Sequence, residues 1–323
     1  MFGSAFFLNI GFCWFYDYLD KFFQISERLV RKMDGIVVIN KEKGCTSHDV
    51  VYKIKKLFGK KVGHTGTLDP NATGVLPILI GKGTELSQFL INHDKKYVAT
   101  IQLGVKTDTA DGEGKVVEEK EVDKDSLTIE RIAKVLGDNI GKQKQKPPMY
   151  SAIKVKGKKL YEYARSGKFV DIPEREIEIY DLKLLSINKD DNTLIYEIYC
   201  SKGTYVRTVC EKIAEDLGIV GYMKELQRTM VGNFKIENAI TFQQLEDNFE
   251  NKDFLDNNFI GLEEFFKDKN VVVLNNKQLQ LFLNGVMIGD NYNDEIVRVY
   301  DEEHAFIGIG VCVDGKLKRK IIL

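Results

Sequence analysis

Residues 35–40 read Gly-Ile-Val-Val-Ile-Asn, a short unbroken apolar run that predicts a buried first strand. The spacing then turns helical. Val50, Val51, Ile54, Leu57 and Phe58 fall on one face, with Ser47 as a candidate N-cap and Gly59 as a stop. Strict alternation marks residues 97–104, where Ala99, Ile101 and Leu103 interleave with Val98, Thr100 and Gln102, and it returns over 176–187 and 193–200. Helical spacing covers 126–136 and 209–217. Several strands with few intervening helices predict an α+β domain around a mixed, largely antiparallel sheet.

The acidic, amide-rich stretch 245–258 reads as a loop or hinge between two cores. Beyond it, 271–274, 296–300, 305–313 and 316–323 are short strand candidates, and Asp314-Gly315 is a type I′ hairpin signal. These predict a small all-β module. The first 32 residues stand apart, with ten aromatic side chains and the only tryptophan. They lack the basic start and small-residue cleavage site of a secretory signal, and their uncharged stretch is too short to span a bilayer. The expected division is therefore an extension, 1–32, outside the fold; a main domain, 33–265; and a C-terminal module, 266–323.

Composition narrows the chemistry. Five cysteines without a C-x-x-C pair and four scattered histidines offer neither a disulfide framework nor a zinc-binding pattern, which fits a reducing cytoplasm. The formal net charge is -1, so any attraction to a polyanion must be local. It is unevenly placed: residues 33–240 carry 34 basic and 30 acidic side chains, and residues 241–323 carry 9 and 15. Two stretches hold lysines and no acids, 51–68 and 141–160, the second interleaved with Tyr150 and followed by Tyr161 and Tyr163. The first alone reads as an ordinary solvated face; two such clusters on one domain favour contacts with RNA phosphates and bases.

The densest motif is Gly63-His64-Thr65-Gly66-Thr67-Leu68-Asp69-Pro70-Asn71-Ala72-Thr73-Gly74-Val75-Leu76-Pro77. It concentrates glycines and prolines around one carboxylate, Asp69. No Gly-Lys-Ser/Thr completes a Walker loop, and the glycine spacing does not fit a dinucleotide site. An Asp-Pro pair alone is most often a turn cap.

This motif, preceded by Asn40-Lys41 and Thr46-Ser47-His48-Asp49, resembles the bacterial family of tRNA pseudouridine-55 synthases. Lys96-Tyr97, Leu103-Gly104, Thr107-Asp108-Thr109, Pro148-Met149-Tyr150-Ser151-Ala152, Gly157 to Arg165 and Cys200-Ser201-Lys202-Gly203-Thr204-Tyr205-Val206-Arg207 agree in the same order. Glu42 stands where the family usually has proline, and residues 1–32 have no counterpart. The resemblance covers about residues 33–245, and the C-terminal module is more weakly similar to the small RNA-binding PUA domain of these enzymes.

The resemblance implies isomerisation of uridine 55 in the T loop of tRNA to pseudouridine, with the nucleotide flipped out of the loop and no cofactor or metal. It implies that Asp69 is the essential carboxylate and that Arg207, on a Lys-Gly-Thr-Tyr-Val-Arg strand, keeps it ionised. Tyr97 would stack on the uracil, His64 would fill the space the base vacates, and Tyr205 and Leu226 would line the pocket. Lys41 would contribute to substrate binding by supporting the Asp69 loop. Taken singly, Tyr97 and Leu226 are equally core residues, Arg207 a surface cation and His64 a loop hydrogen-bonding group. The expected protein is a cytoplasmic monomer that binds tRNA, with no membrane association and no obligatory protein partner. A non-catalytic tRNA-binding or folding factor on the same scaffold is the alternative from another class, and a guide-RNA-dependent relative the alternative within the enzymes.

Overall fold

The computed structural model describes residues 33–151, 153–155, 157–166, 170–289 and 291–323, so the aromatic segment 1–32 lies outside the described residues. The main domain is built on a ten-stranded sheet. Its strands are β1 (Gly35–Lys41), β2 (Val62–His64), β3 (Thr73–Ile80), β4 (Lys95–Leu103), β5 (Gly141–Gln145), β6 (Arg175–Asn188), β7 (Thr193–Cys200), β8 (Gly221–Val231), β9 (Phe234–Lys235) and β10 (Phe259–Gly261). They lie in the order β10-β1-β3-β8-β4-β7-β6-β5, with β2 added to β3 and β9 to β8. Every pairing is antiparallel except β3 with β8, where Gln227 faces Thr73 and Arg228 faces Gly74. That single parallel junction brings the end of the Gly63–Pro77 motif against the strand carrying Leu226.

Both faces of this sheet are covered, which is why β1 reads as a continuous apolar run. Val37 and Ile39 belong to one core with helices α1 (Ser47–Phe58), α2 (Ile129–Asp138) and α3 (Val206–Asp216), through Ile54, Ile132 and Ile213 among others. Ile36 and Val38 belong to a second core, which includes Val75, Leu79 and Phe266. α1 starts one residue earlier than its apolar spacing indicates: Thr46, not Ser47, is the N-cap and forms a reciprocal capping box with Asp49. Gly59 ends it in the left-handed region at φ 61°.

The stretch 245–258 is not a loop. It contributes to α4 (Phe242–Asp247), capped by Thr241 and Gln244, and forms α5 (Lys252–Asn258), capped by Asn251. Each helix buries one leucine, Leu245 or Leu255, in the main core, so a polar composition is what such short anchored helices require. The C-terminal sheet has the order β11 (Val271–Leu274), β12 (Ile296–Asp301), β13 (Phe306–Val313), β14 (Lys316–Ile322). Asp314 and Gly315 join the last two at φ 51° and 73°, as the hairpin signal requires. This module is not purely β: α6 (Asn276–Leu283) lies between β11 and β12 and inserts Phe282 into the module's core. Nor are the cores fully separate, because Ile309 and Ile321 complete the second core of the main domain.

Gly74 lies at the parallel junction with φ 103°, and a Cβ there would fall 2.2 Å from the Arg228 carbonyl oxygen. Gly74→Ala should therefore lower stability by at least about 2 kcal/mol. Gly137, in α2 with nothing within 4 Å of its Cβ position, should behave oppositely. Gly137→Ala should raise stability by up to about 1 kcal/mol. Urea midpoints of the two variants test this, and equal shifts would contradict the close approach of β3 and β8.

Candidate active site

The Gly63–Pro77 motif is held by buried groups from the start of the chain. Ser47 at the beginning of α1 donates from Oγ to the Leu68 carbonyl at 3.1 Å and accepts from the Leu68 amide at 2.9 Å. Lys41 is 1% exposed, and its ammonium donates to the carbonyls of Cys45 at 2.7 Å, Glu42 at 2.9 Å and Pro70 at 3.0 Å. Burial pulls this ammonium down from its ordinary value, while Cys45 and Asp69 act to raise it. Lys41 thus supports the loop from beneath. Its three donors are all engaged by backbone, so it is not a direct substrate ligand.

Asp69 projects from this loop toward Arg207. The sequence places Arg207 on a strand, but it lies in the first turn of α3, after a turn in which Gly203 takes φ 81°. Val206, Val209, Cys210 and Ile213 bury one helical face there. A cation at a helix N-terminus is disfavoured by the helix dipole. Arg207 is nevertheless 6% exposed, and two carboxylates compensate it. One terminal nitrogen lies 3.3 Å from Asp69 Oδ2, and the other lies 3.2 Å from Asp111 Oδ2. The guanidinium bridges two acids rather than gripping one with both nitrogens. It also donates to the Tyr150 carbonyl at 2.9 Å.

Asp111 is fixed in turn. Its Oδ1 accepts from Thr109 Oγ1 at 2.6 Å and from the Glu113 amide at 3.1 Å. Asn71 donates to Glu113 at 2.6 Å, tying the loop of Asp69 to the loop of Asp111. On the far side, the buried Gln145 amide side chain pairs with both the amide and the carbonyl of Tyr205, setting the start of α3.

Asp69, Tyr97, Tyr205, Arg207 and Leu226 line one cavity of about 110 Å³, with Met223 and Thr67 on its wall. These five are brought together as the sequence indicates. Tyr97 is 7% exposed on β4, and burial pushes its phenol up to about 12. His64 does not line this cavity. It sits at the end of β2, where its Nδ1 accepts from the Gly66 amide at 3.3 Å. Burial first, and then the charge of Arg228, lower its imidazole from the ordinary value, which favours the neutral ring. A larger groove of about 720 Å³ lies at the β5–β6 edge, lined by Lys142, Lys144 and Lys202 together with Glu176 and Glu178.

Two residues of the site are absent from the sequence reading. Asp111 follows the noted Thr107-Asp108-Thr109 run by two positions, and the polarity of the following Gly112-Glu113-Gly114 disguises it as a turn. Arg228 is 1% exposed and lies directly across the β4–β8 ladder from Tyr97. Its only sequence signal is a cation two positions after Leu226 on an alternating strand. Among the described residues no cluster of three or more His, Cys, Asp or Glu side chains could hold a metal, and no helix is long and apolar enough to cross a membrane.

Comparison with known proteins bears on this geometry. The model of the TruB family pseudouridylate synthase N-terminal domain matches residues 55–206, which carry Asp69, Tyr97 and Asp111. The tRNA pseudouridylate synthase B C-terminal domain matches 207–267, and the pseudouridine synthase II TruB C-terminal model matches 271–322. A protein named tRNA pseudouridine synthase B from Caldanaerobacter subterraneus subsp. tengcongensis is 43% identical over 291 residues, covering 89% of this chain and 98% of the relative. One of the same name from Bacillus cereus is 42% identical over 261 residues, covering 79% and 84%. Among solved structures, a chain of the Cbf5-Nop10-Gar1 complex superposes with a TM-score of 0.64 at 24% identity, covering 92% of this chain and 85% of that one, a likeness of fold. With sequence models matching both sides of the Asp69–Arg207 pair and relatives aligned along most of its length, this chain belongs to the TruB family of pseudouridylate synthases.

Proposed function

We propose that this chain isomerises uridine 55 in the T loop of tRNA to pseudouridine, with Asp69 acting on a flipped-out nucleotide. The observation that carries the reading is the juxtaposition of Asp69, Arg207 and Tyr97 around a cavity of single-base size. The reaction breaks the bond from N1 to ribose C1′, turns the uracil and joins C5 to C1′; N1 gains a proton and C5 loses one. Atoms and electrons balance within the nucleotide, so no cofactor is called for. The reaction needs an ionised carboxylate at the sugar and base, a surface to hold the base while it turns, and a means of keeping it out of the stack.

Asp69 is the carboxylate. Arg207 orients it from within the helix turn, and Asp111 balances the second half of the guanidinium. Tyr97 and Leu226 sandwich the base, and Tyr205 closes the wall. His64, neutral and packed beside the loop, fills the space the base leaves in the RNA. Lys41 acts on the substrate only through the loop it supports. Flipping costs a few kcal/mol of unstacking, which phosphate contacts must offset. The exposed lysines of α1, Lys53, Lys55 and Lys56, and the lysines of the 720 Å³ groove supply them, with residues 266–323 as the additional RNA-binding domain. The enzyme works on free tRNA as a cytoplasmic monomer without an obligatory protein partner.

A T-stem-loop transcript incubated without divalent metal should be modified at uridine 55, read by carbodiimide-stop primer extension. An unmodified uridine 55 would overturn the reading. Asp69→Asn should slow conversion at least about a thousandfold, roughly 4 kcal/mol of transition-state stabilisation, while tRNA affinity changes by less than about threefold. Retained function in Asp69→Asn would instead indicate a tRNA-folding factor.

Arg207→Lys keeps a charge but cannot bridge two carboxylates 3.2–3.3 Å from separate nitrogens. Its single-turnover rate should fall at least about tenfold, or roughly 1.4 kcal/mol, with tRNA binding at fixed salt little changed. An unchanged rate would remove Arg207 from the active site.

A further inference from the structure

The helix that carries Arg207 has no capping side chain of its own. Its N-cap residue is Tyr205, whose side chain makes no capping hydrogen bond, and the adjacent Thr204 donates instead to the Ser201 carbonyl at 3.0 Å. Ser, Thr, Asp and Asn ordinarily hold such a start. Here it is held from outside by Gln145, at the end of β5 and 60 positions earlier in the chain. Oε1 of Gln145 accepts from the Tyr205 amide at 2.8 Å, and Nε2 donates to the Tyr205 carbonyl at 3.1 Å. Gln145 is 6% exposed, so little water is at hand to replace either bond.

The hydrogen bonds restrict what this position tolerates. A backbone amide only donates and a carbonyl only accepts, so one side chain satisfies both only if it carries a donor beside an acceptor. A carboxylate lacks the donor and an ammonium the acceptor, and either would add a charge where Asp69 and Asp111 already balance Arg207. A neutral amide fixes the backbone without drawing the guanidinium away from Asp69. The same segment reaches the far end of the arginine. Past Pro147 and Pro148, the Tyr150 carbonyl accepts at 2.9 Å from the nitrogen that lies 3.3 Å from Asp69 Oδ2. Proline fixes φ, which stiffens the connection, so residues 145–150 hold both the root and the tip of Arg207.

We infer that Gln145 is a positioning residue for the reaction: by locking the Tyr205 backbone it sets where the Arg207 guanidinium meets Asp69. The inference rests on the reading of Asp69 as the reacting carboxylate and Arg207 as its partner. Gln145 does not itself line the cavity, and Lys142 and Lys144 of its strand are exposed on the opposite face. Loss of Gln145 is thereby separable from loss of phosphate contacts.

A double-mutant cycle in the full-length protein tests this, with single-turnover conversion of a T-stem-loop transcript by excess enzyme. Gln145→Met keeps the length of the side chain and removes both hydrogen-bonding groups. It should slow conversion at least about tenfold, while affinity for the transcript changes by less than about threefold. In the Arg207→Lys background, where no planar fork is left to aim, it should slow conversion by less than about threefold. Equal slowing in both backgrounds, or a lowered thermal midpoint with the rate intact, would make Gln145 a residue of the fold alone and overturn the inference, leaving Arg207 in the active site. A wild-type rate in Arg207→Lys would overturn the reading of Arg207 and this inference with it.

Should Gln145→Met fail to fold, Gln145→Asn is the second variant, since it keeps the amide but holds it one methylene short of Tyr205. Proton exchange from the ¹⁵N-labelled Arg207 guanidinium should be faster in it than in the wild type, as the bonds to Tyr150 and Asp111 loosen. Exchange as slow as in the wild type would show that Arg207 is held without Gln145 and would overturn the inference.

Discussion

A guanidinium placed in the first turn of a helix and shut away from water must be neutralised there, and much of the site is arranged around that requirement. The dipole of α3 works against Arg207, so the charge is tolerable only where acidic groups converge on it. Two do, from loops separated by more than 40 residues of chain, Asp69 and Asp111. Neither loop has a regular ladder to hold it. Each is fixed by side chains bonded to backbone, Lys41 and Ser47 under one and Thr107, whose hydroxyl donates to the Asp111 carbonyl, under the other, with the side chains of Asn71 and Glu113 joining them. Side chain-to-backbone bonds of this kind preserve loop shape without presenting polar side chains to the cavity, which leaves the cavity to Asp69, Arg207 and the aromatic residues.

The second constraint is the parallel junction of β3 with β8. In an otherwise antiparallel sheet it places the end of the Asp69 motif beside the strand that supplies Leu226 and Arg228. Close approach there depends on Gly74, whose backbone sits in a region that other residues occupy only with strain. Register breaks between Met223 and Glu225 and between Arg228 and Met230 flank the segment. Because of the first, Met223 and Leu226 both face the cavity although they are three residues apart, which uninterrupted alternation forbids.

Those breaks explain what the sequence conceals. Where one periodicity persists, as along β4 or α1, residue spacing identifies element and face, and Tyr97 falls on the buried side as its alternation indicates. The Asp69 loop is legible for a different reason: its glycines and prolines and the flanking Lys41 and Ser47 form a pattern too specific to arise from packing alone. Arg228 is hidden because a charged residue in a strand is ordinarily assigned to solvent, and only its burial and two carbonyl acceptors from the Asp69 motif show otherwise. Asp111 is hidden because its meaning lies in a partner 96 positions away. Arg207 pairs with Asp69 as expected but lies in a helix rather than on a strand, because the five residues 201–205 form a turn and N-cap between β7 and α3. The helices within 242–258 show the same limit from the other direction, because one leucine per helix is too sparse to produce a period.

The exposure of Asp69 separates what the protein supplies from what the RNA must supply. Arg207 is almost wholly enclosed, yet the Asp69 side chain is 43% exposed, so protein atoms alone do not strip water from the carboxylate. The charge pair is therefore asymmetric: its cationic half is fixed in low dielectric, and its anionic half faces the opening through which a nucleotide enters. An ion pair held in this way is weak while water screens one partner and strengthens when that water is displaced. A base seated against Tyr97 and Leu226 would displace it, since those residues share the cavity wall with Asp69. On the proposed function, full interaction between Asp69 and Arg207 then develops only with the nucleotide in place, so that binding of the flipped uridine itself completes the electrostatic environment in which the carboxylate acts.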